Sequence, residues 1–243
     1  MARRKQRDDE AAFLAAYAPG KFPRPSVTVD LVVLTILDGV LSILLVARGE
    51  HPFKGRWALP GGFVRVGEGP KDQGEDLYDA ALRELREETG LPAGAALLEQ
   101  LGAFGRPNRD PRTRVISVAY HALVRPTLVP HVSGGGDAAG ARWFPVVERP
   151  PLAFDHDEIV ERALARVRGD LEGTSVAFAL VPETFTIAEL RTVHEVILGT
   201  TLDPGNFRRR FLRMLDDGVL EPARGKRATA SKPAQVYRFV DRR

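Results

Sequence analysis

Three glutamates, Glu84, Glu87 and Glu88, are spaced so that a helix would present them on one side. At about 100° per residue their side chains fall within an arc of about 100°, and like charges three or four positions apart repel each other. A divalent cation removes that repulsion. Mg²⁺ prefers carboxylate oxygens, bridges to a diphosphate, and acts as a Lewis acid that helps to generate hydroxide. The alternative, which three glutamates alone would favour, is a solvated face paired with Arg83 and Arg86.

The residues around these glutamates form a longer pattern. Gly69 precedes Glu75, and Arg83-Glu84-Leu85-Arg86-Glu87-Glu88-Thr89-Gly90-Leu91 follows. This resembles the Nudix box, G-x5-E-x7-R-E-U-x-E-E-x-G-U with U aliphatic, at every fixed position, which favours the metal site over the solvated face. The resemblance implies Mg²⁺ or Mn²⁺ held by Glu84, Glu87 and Glu88 with the help of Glu75. It also implies a catalytic role for these three glutamates and Arg83, which would orient them, and tight turns at Gly69 and Gly90.

Two flanking segments narrow the ligand class. Trp57-Ala58-Leu59-Pro60-Gly61-Gly62-Phe63-Val64 and Arg109-Asp110-Pro111-Arg112 resemble the ADP-ribose pyrophosphatase branch of that family, as do residues 152–157. The resemblance implies a ligand such as ADP-ribose or a related nucleoside diphosphate. Its predicted contacts are Gly61, Gly62, Phe63, Arg109 and Arg112, the two arginines donating to diphosphate oxygens. A surface turn with a local ion pair explains Arg109-Asp110 equally well, and His156, beside a helix start, is more often structural than catalytic.

Charge is unevenly distributed along the 243 residues, whose formal net charge is +3. Residues 204–243 contain eleven Lys or Arg and four Asp or Glu, a net charge of +7, which leaves −4 for the rest of the chain. An acidic body joined to a basic tail indicates two parts with different partners.

The C-terminal part of the chain, which includes the basic tail, carries the pattern of two capped helices separated by a short turn. Thr186 and Glu189 form a capping box, and Asp203 with Pro204 begins a second helix. Short strands at 219–220 and 236–240 flank a basic loop. Helix, turn, helix and wing in this order favour a DNA-binding module over a solvated basic face, which is the usual explanation of a charge run. The predicted DNA contacts are Asn206, Arg208, Arg209, Arg210, Arg213, Arg224, Lys226, Arg227 and Lys232.

The combination of box and tail resembles the Nudix-related transcriptional regulators of bacterial NAD metabolism, on the segments 185–190 and 206–209 among others. The resemblance implies a repressor that binds double-stranded operator DNA as a homodimer and senses ADP-ribose through its Nudix domain. Many members of that group have degenerate boxes, whereas this chain keeps the box whole. An active Mg²⁺-dependent ADP-ribose pyrophosphatase with an accessory DNA-binding tail is therefore the alternative.

The order of the predicted strands and helices that would position these residues indicates an α+β fold. We expect a Nudix mixed-sheet sandwich with flanking helices over residues 1–172, including an N-terminal arm, and a small winged helix-turn-helix domain over 173–243. Predicted strands are 26–37, 40–46, 115–124 and 142–147; predicted helices are 10–17, 75–89 and one opened by Asp155 with Glu158 at the capping-box position.

Composition excludes several other classes of protein. The chain has no cysteine, and therefore no disulfide framework or thiolate metal site. No stretch approaches the roughly 20 apolar residues that span a bilayer, and the basic start lacks the apolar core of a secretory signal. We therefore expect a cytoplasmic protein with no membrane partner.

Overall fold

The computed structural model of the chain describes residues 2–67, 72–91, 94, 96–131, 140–171, 174–228 and 232–240; Gly69 lies outside them. The helices are α1 (Ala2–Ala16), α2 (Leu77–Thr89), α3 (His156–Asp170), α4 (Thr174–Leu180), α5 (Ile187–Leu198) and α6 (Pro204–Asp216). The strands are β1 (Ser26–Leu37), β2 (Val40–Ala47), β3 (Trp57–Ala58), β4 (Gly61–Phe63), β5 (Ala96–Phe104), β6 (Val115–Val124), β7 (Ala141–Pro145), β8 (Leu220–Arg227) and β9 (Ala234–Phe239).

Strand β1 is the centre of a mixed sheet. Its β-branched residues favour extended backbone, and it pairs antiparallel with β2 and β4 but parallel with β6. Asp38 and Gly39 both adopt positive φ angles, +48° and +76°, so they form the tight turn that joins β1 to β2. Strand β4 pairs with the first part of β1 and β2 with its last part, so Thr28 and Asp30 of β1 lie beside the glycine pair of β4.

The two faces of β1 pack against different helices because successive strand side chains point to opposite sides. Val29, Leu31 and Val33 share a hydrophobic cluster with residues of α2, among them Leu85. The alternate residues Val32, Leu34 and Ile36 belong to a second cluster that includes the apolar stripe of α3. The sheet is therefore enclosed by helices on both sides, which confirms the predicted sandwich.

The C-terminal helices and hairpin form the predicted winged helix-turn-helix. The capping box of Thr186 and Glu189 is present on α5, and Asp203 caps α6 with Pro204 at its first turn. Helix α4 packs against β5 and β6, and its buried residues join the cluster that also contains Phe211 of α6. One hydrophobic cluster therefore crosses the boundary predicted at 172, which stays a prediction.

Several local features differ from the sequence prediction. Strand β5 and helix α4 were not predicted, and β8 extends into the segment predicted as a basic loop. The predicted capping box at the start of α3 is wrong: the side chain of Asp155 makes no capping hydrogen bond. Arg109 binds it instead, and Glu158 pairs with Arg106. A long-range ion pair has taken the place of the local cap.

Candidate ligand-binding and DNA-binding sites

Arg83 organises the glutamates of the box. Its guanidinium group pairs with Glu75 through two hydrogen bonds of 2.5 and 2.9 Å. Its Nη1 atom lies 2.5 Å from Glu84 Oε1 and 3.2 Å from Glu87 Oε2, and its Nη2 atom donates to the backbone oxygen of Phe63. Hydrogen bonding from Arg83 lowers the pKa of Glu75 to about 2, so this carboxylate stays ionised.

Two glycines allow strand β4 to lie against these carboxylates. The backbone N–H of Gly61 donates to Glu88 Oε2 at 2.9 Å. A Cβ atom at Gly62 would collide with the carboxylate of Glu84, and one at Gly61 would collide with the backbone oxygen of Val29. The predicted ligand-binding glycines and the predicted metal-binding glutamates are therefore in direct contact.

The buried glutamates have the chemistry of a cation site but not yet its geometry. Burial raises the pKa of Glu88 to about 8 and also raises that of Glu84, although Arg83 opposes the shift at Glu84. A divalent cation would stabilise their ionised forms, and carboxylate oxygens suit Mg²⁺. Across the described ranges, no three His, Cys, Asp or Glu side chains are grouped as a metal site. The donor set fits a hard divalent cation, and Glu87 would have to leave Arg83 to join it.

A cavity of about 170 Å³ is lined by the same glycine pair. It is formed by the start of β1, by β4, by the segment 109–115 and by the first residues around α3. Its lining residues include Thr28, Asp30, Arg48, Gly61, Gly62, Phe63, Arg109, Arg112, Phe154 and His156. Because Gly61 and Gly62 border both the cavity and the glutamates, a diphosphate bound here would lie beside the carboxylates.

Arg109 is buried beside this cavity and joins two of the aspartates around it. Its guanidinium group donates to Asp155 through two bonds of 2.6 and 2.9 Å and lies 3.4 Å from Asp30. His156 also lies close to Asp30, with its Nε2 atom 3.6 Å from Asp30 Oδ1. Its Nδ1 atom accepts a hydrogen bond from the backbone N–H of Leu59. Burial lowers the pKa of His156, which favours its neutral form. These contacts give Arg109 a structural partner that sequence spacing did not reveal.

Arg112 is the more accessible of the two predicted arginines. Its guanidinium group pairs with Asp110 and is about 42% exposed in its side chain. It lies over the rings of Phe63 and Phe154, at 5.3 and 6.0 Å from their centroids, while Arg48 lies 4.7 Å from the Phe154 centroid. Arg48 and Arg112 are thus held against aromatic rings, where both could donate to a phosphate. Arg48 belongs to no motif, and Phe154, although it lies in the segment 152–157, was not predicted as a ligand contact.

Helix α6 presents its cations away from the protein. Phe207 and Phe211 are buried, whereas Asn206, Arg208 and Arg209 are exposed and Arg210 is half-buried. Arg209 donates to the side chain of Asn206, so the two polar groups lie together at the start of the helix. A helix with this division places cations where the phosphates of a groove lie.

The wing carries several exposed cations and one, Arg227, that binds residues at the start of α5. Arg224, Lys226 and Lys232 are exposed, as is Arg213 on α6. Arg227, in contrast, lies 2.5 Å from Glu189 Oε1 and donates to the backbone oxygen of Thr184 at 2.9 Å. Since Glu189 also closes the capping box of α5, Arg227 ties the wing to that helix.

No helix among the described residues is both long and apolar enough to cross a bilayer.

Comparison with protein-family models divides the chain along the same lines. Residues 26–163 match the NUDIX domain, and residues 177–239 match the NrtR DNA-binding winged helix domain. The first match contains the box and the cavity. The second contains α5, α6 and the wing, and both support the predicted fold.

Three relatives are similar to the chain. The ADPR responsive transcriptional repressor NtrR of Acinetobacter baylyi is 35% identical over 242 residues, covering 99% of this chain and 92% of its own length. The ADP-ribose pyrophosphatase of Methanocaldococcus jannaschii is 39% identical over 137 residues, or 56% of this chain and 72% of its own. Shewanella oneidensis NrtR, solved with a 27mer DNA, is 35% identical with a TM-score of 0.72 over 88% of this chain and 93% of its own. The NUDIX domain of the same protein, solved with ADP ribose, is 36% identical with a TM-score of 0.54 over 65% and 98%.

Proposed function

The chain belongs to the Nudix family and ends in a winged helix domain of the NrtR type, and from this premise we propose that it is a transcriptional repressor of NAD metabolism genes that responds to ADP-ribose. The observation that carries the proposal is the pairing, in one chain, of a ligand cavity beside the box with an exposed basic helix and wing. Such a repressor acts on the chromosome, so we place it in the cytoplasm of a bacterium.

The DNA contacts we propose are those of α6 and the wing. Asn206, Arg208 and Arg209 lie at the exposed start of α6, the part of a recognition helix that reaches base edges. Arg210, Arg213, Arg224, Lys226 and Lys232 would contact phosphates. Arg227 is left out of this set because Glu189 and Thr184 already engage its guanidinium group.

The ligand contacts we propose lie around the 170 Å³ cavity. Arg112 would donate to the diphosphate, and Gly61 and Gly62 would permit close approach of the ligand to the backbone. Phe63 would cover the ligand with its half-exposed ring. Arg109 would shape the site by holding Asp155 rather than by contacting the ligand directly.

The proposal is tested with DNA that the protein itself selects from a random-sequence pool. A gel-shift titration of that duplex is repeated with ADP-ribose in buffer containing EDTA, which prevents metal-dependent hydrolysis. We expect ADP-ribose to release the duplex at concentrations that AMP and ribose 5-phosphate do not match. Binding of DNA that is indifferent to ADP-ribose would contradict the sensor role, and failure to select any duplex would contradict the repressor role.

A second function, hydrolysis of ADP-ribose, is supported by the complete set of box residues. Glu84, Glu87 and Glu88 would hold Mg²⁺ or Mn²⁺ with help from Glu75, and the cation would polarise the diphosphate and a water molecule. Arg83 would orient the carboxylates that it already contacts. Product analysis with Mg²⁺ tests this role separately: AMP and ribose 5-phosphate are expected, and intact ADP-ribose after prolonged incubation would exclude hydrolysis.

Two further features belong to the proposal. A repressor of this type would bind an inverted-repeat operator as a homodimer, because one recognition helix reads too few base pairs to discriminate against the genome. We also propose the division into residues 1–172 and 173–243. Analytical ultracentrifugation with and without duplex tests the dimer, and limited proteolysis between 169 and 174 tests the division.

A further inference from the structure

The N-terminal arm, residues 2–25, leaves its large apolar side chains uncovered. Every arm residue whose side chain is described, over 9–18 and 20–25, is exposed. Four of them are large and apolar and are 50–64% exposed: Phe13, Leu14, Tyr17 and Phe22. Single exposed apolar residues are ordinary on folded proteins, whereas a group of four on one short segment marks a contact surface.

The three aromatic rings of the arm form one continuous surface. Phe13 lies four positions before Tyr17, and their ring centroids are 5.8 Å apart. The short turn Pro19–Lys21 then brings Phe22 back towards Tyr17, with 6.3 Å between their centroids. A helix of 15 residues, the length of α1, is marginal in water unless its apolar side packs against something. The arm therefore requires a partner surface that its own chain does not supply.

Charge indicates which surface fits the arm. Residues 1–25 contain six Lys or Arg and three Asp or Glu, a net charge of +3. The Nudix domain, residues 26–163, contains 15 Lys or Arg and 19 Asp or Glu, a net charge of −4, whereas the tail carries +7. Opposite charges favour association and like charges oppose it. The arm is therefore complementary to a Nudix domain and not to the basic tail.

The uncovered area of the arm suits an interface between two copies of the chain. A fully exposed aromatic side chain presents about 200 Å², so the exposed fractions of the four apolar side chains leave roughly 450 Å² on each arm. Two arms, each matched by an equal area on the other copy, would bury about 1,800 Å², within the range of about 1,200–2,000 Å² for stable protein–protein interfaces. The arrangement closes on itself, because each copy gives one arm and receives one.

We propose that the arm docks its aromatic surface on the Nudix domain of a second copy of this chain, so that two copies exchange arms around a two-fold axis. DNA phosphates would also attract the cations of the arm, but they offer no apolar contact to its rings. The inference rests on the proposed homodimer and adds the segment that holds the two copies together.

Polar replacement of two rings tests the exchange in the full-length protein. Phe13→Ser combined with Tyr17→Ser should leave each chain folded, because both side chains are exposed in their own chain. Sedimentation velocity should show the dimer dissociation constant raised at least about hundredfold, since each ring occurs twice in the dimer. Val147→Ser is the matched control. It removes an apolar side chain that is 88% exposed but lies outside the arm, and it should leave the dissociation constant unchanged.

Photocrosslinking identifies the surface that the arm contacts. Protein carrying p-benzoylphenylalanine in place of Phe13 is irradiated as a mixture of ¹⁵N-labelled and unlabelled chains. Mass spectrometry should find crosslinks that join labelled to unlabelled peptides, with the acceptor peptide inside residues 26–163. Crosslinks confined to single chains, or an unchanged dissociation constant in the double variant, would overturn the exchange of arms.

Other outcomes separate this inference from the proposed function. Weaker DNA binding by the double variant, with its dimer unchanged, would place the arm on DNA and overturn the inference. A monomeric wild-type protein would overturn the inference together with the proposed homodimer. DNA binding that is indifferent to ADP-ribose would instead contradict the sensor role and leave the exchange of arms standing.

Discussion

Replacement of Arg109 distinguishes a structural cation from a ligand-binding one. Its side chain is about 4% exposed, and it lies between two buried carboxylates, Asp155 at 2.6 Å and Asp30 at 3.4 Å. Arg109→Ala leaves both carboxylates without their cation. Breaking a buried pair in this way costs about 3–5 kcal/mol, a large part of the roughly 5–15 kcal/mol that stabilises a folded protein.

That cost should appear in the protein without ligand. For a chain of this size each kcal/mol lowers the Tm by about 2–4 °C, so Arg109→Ala should melt roughly 6–20 °C below wild type in differential scanning calorimetry. Arg112→Ala is the matched control. Its guanidinium group is about 42% exposed, although the side chain of its partner Asp110 is only 4% exposed, so the loss of this pair should cost less than that of Arg109 without being negligible.

The two arginines should therefore behave in opposite ways. Arg112→Ala should lower the Tm by less than Arg109→Ala does and should lose affinity for ADP-ribose. Arg109→Ala combined with Asp155→Ala should be less destabilised than the sum of the single changes, because each removes a charge that the other leaves unpaired. An unchanged Tm in Arg109→Ala, with loss of ligand binding alone, would refute the structural role and restore Arg109 as a diphosphate clamp.

Three further predictions concern the box and the wing. Glu87→Gln should fold like wild type and abolish any Mg²⁺-dependent hydrolysis of ADP-ribose; wild-type turnover by chromatography would remove Glu87 from the metal site. The pKa of Glu88, raised from 4.5 to about 8, stabilises the metal-free protein below pH 4.5, and this stability is lost as pH rises through 8. Glu88→Gln should therefore gain on wild type as pH increases in EDTA, and a constant difference in urea midpoints would argue against it. Arg224→Ala should reduce the slope of log affinity for DNA against log salt by about 1, whereas Arg227→Ala should weaken binding without that change; equal slope changes would place both cations on phosphates.

Local sequence patterns predicted the elements and motifs whose determinants are close together in the chain. The bounds of β1 follow from its β-branched run and the Asp38-Gly39 turn, and the capping box of α5 follows from residues three positions apart. The resemblance assigned the glycine pair of β4 to the ligand and the glutamates of α2 to the metal, but their direct contact was not predicted, and 22 positions separate Gly62 from Glu84.

Other features depend on contacts between distant segments. Arg109 and Asp155 are 46 positions apart, so the ion pair that replaces the predicted α3 cap has no local signal. Arg227 is predicted as a DNA contact by its place in a basic run, but its partner Glu189 lies 38 positions earlier. Helix α4 has seven residues and packs against β5 and β6, and a helix this short has little periodic pattern by which to predict it. Phe154 adopts a left-handed backbone conformation that phenylalanine does not favour, and the neighbouring residues give no signal for that conformation.

The measurement that tests the account most directly is the affinity for ADP-ribose with and without bound DNA. Calorimetry in EDTA, with the duplex selected by the protein, gives both values on the same preparation. If ADP-ribose releases DNA, the duplex must weaken ADP-ribose binding by the same factor by which ADP-ribose weakens DNA binding, because the coupling between two sites is reciprocal. We predict a reduction of at least about fivefold, the lower end of ordinary coupling between sites. Equal ADP-ribose affinity in the free and DNA-bound protein would contradict the claim that this Nudix domain regulates DNA binding.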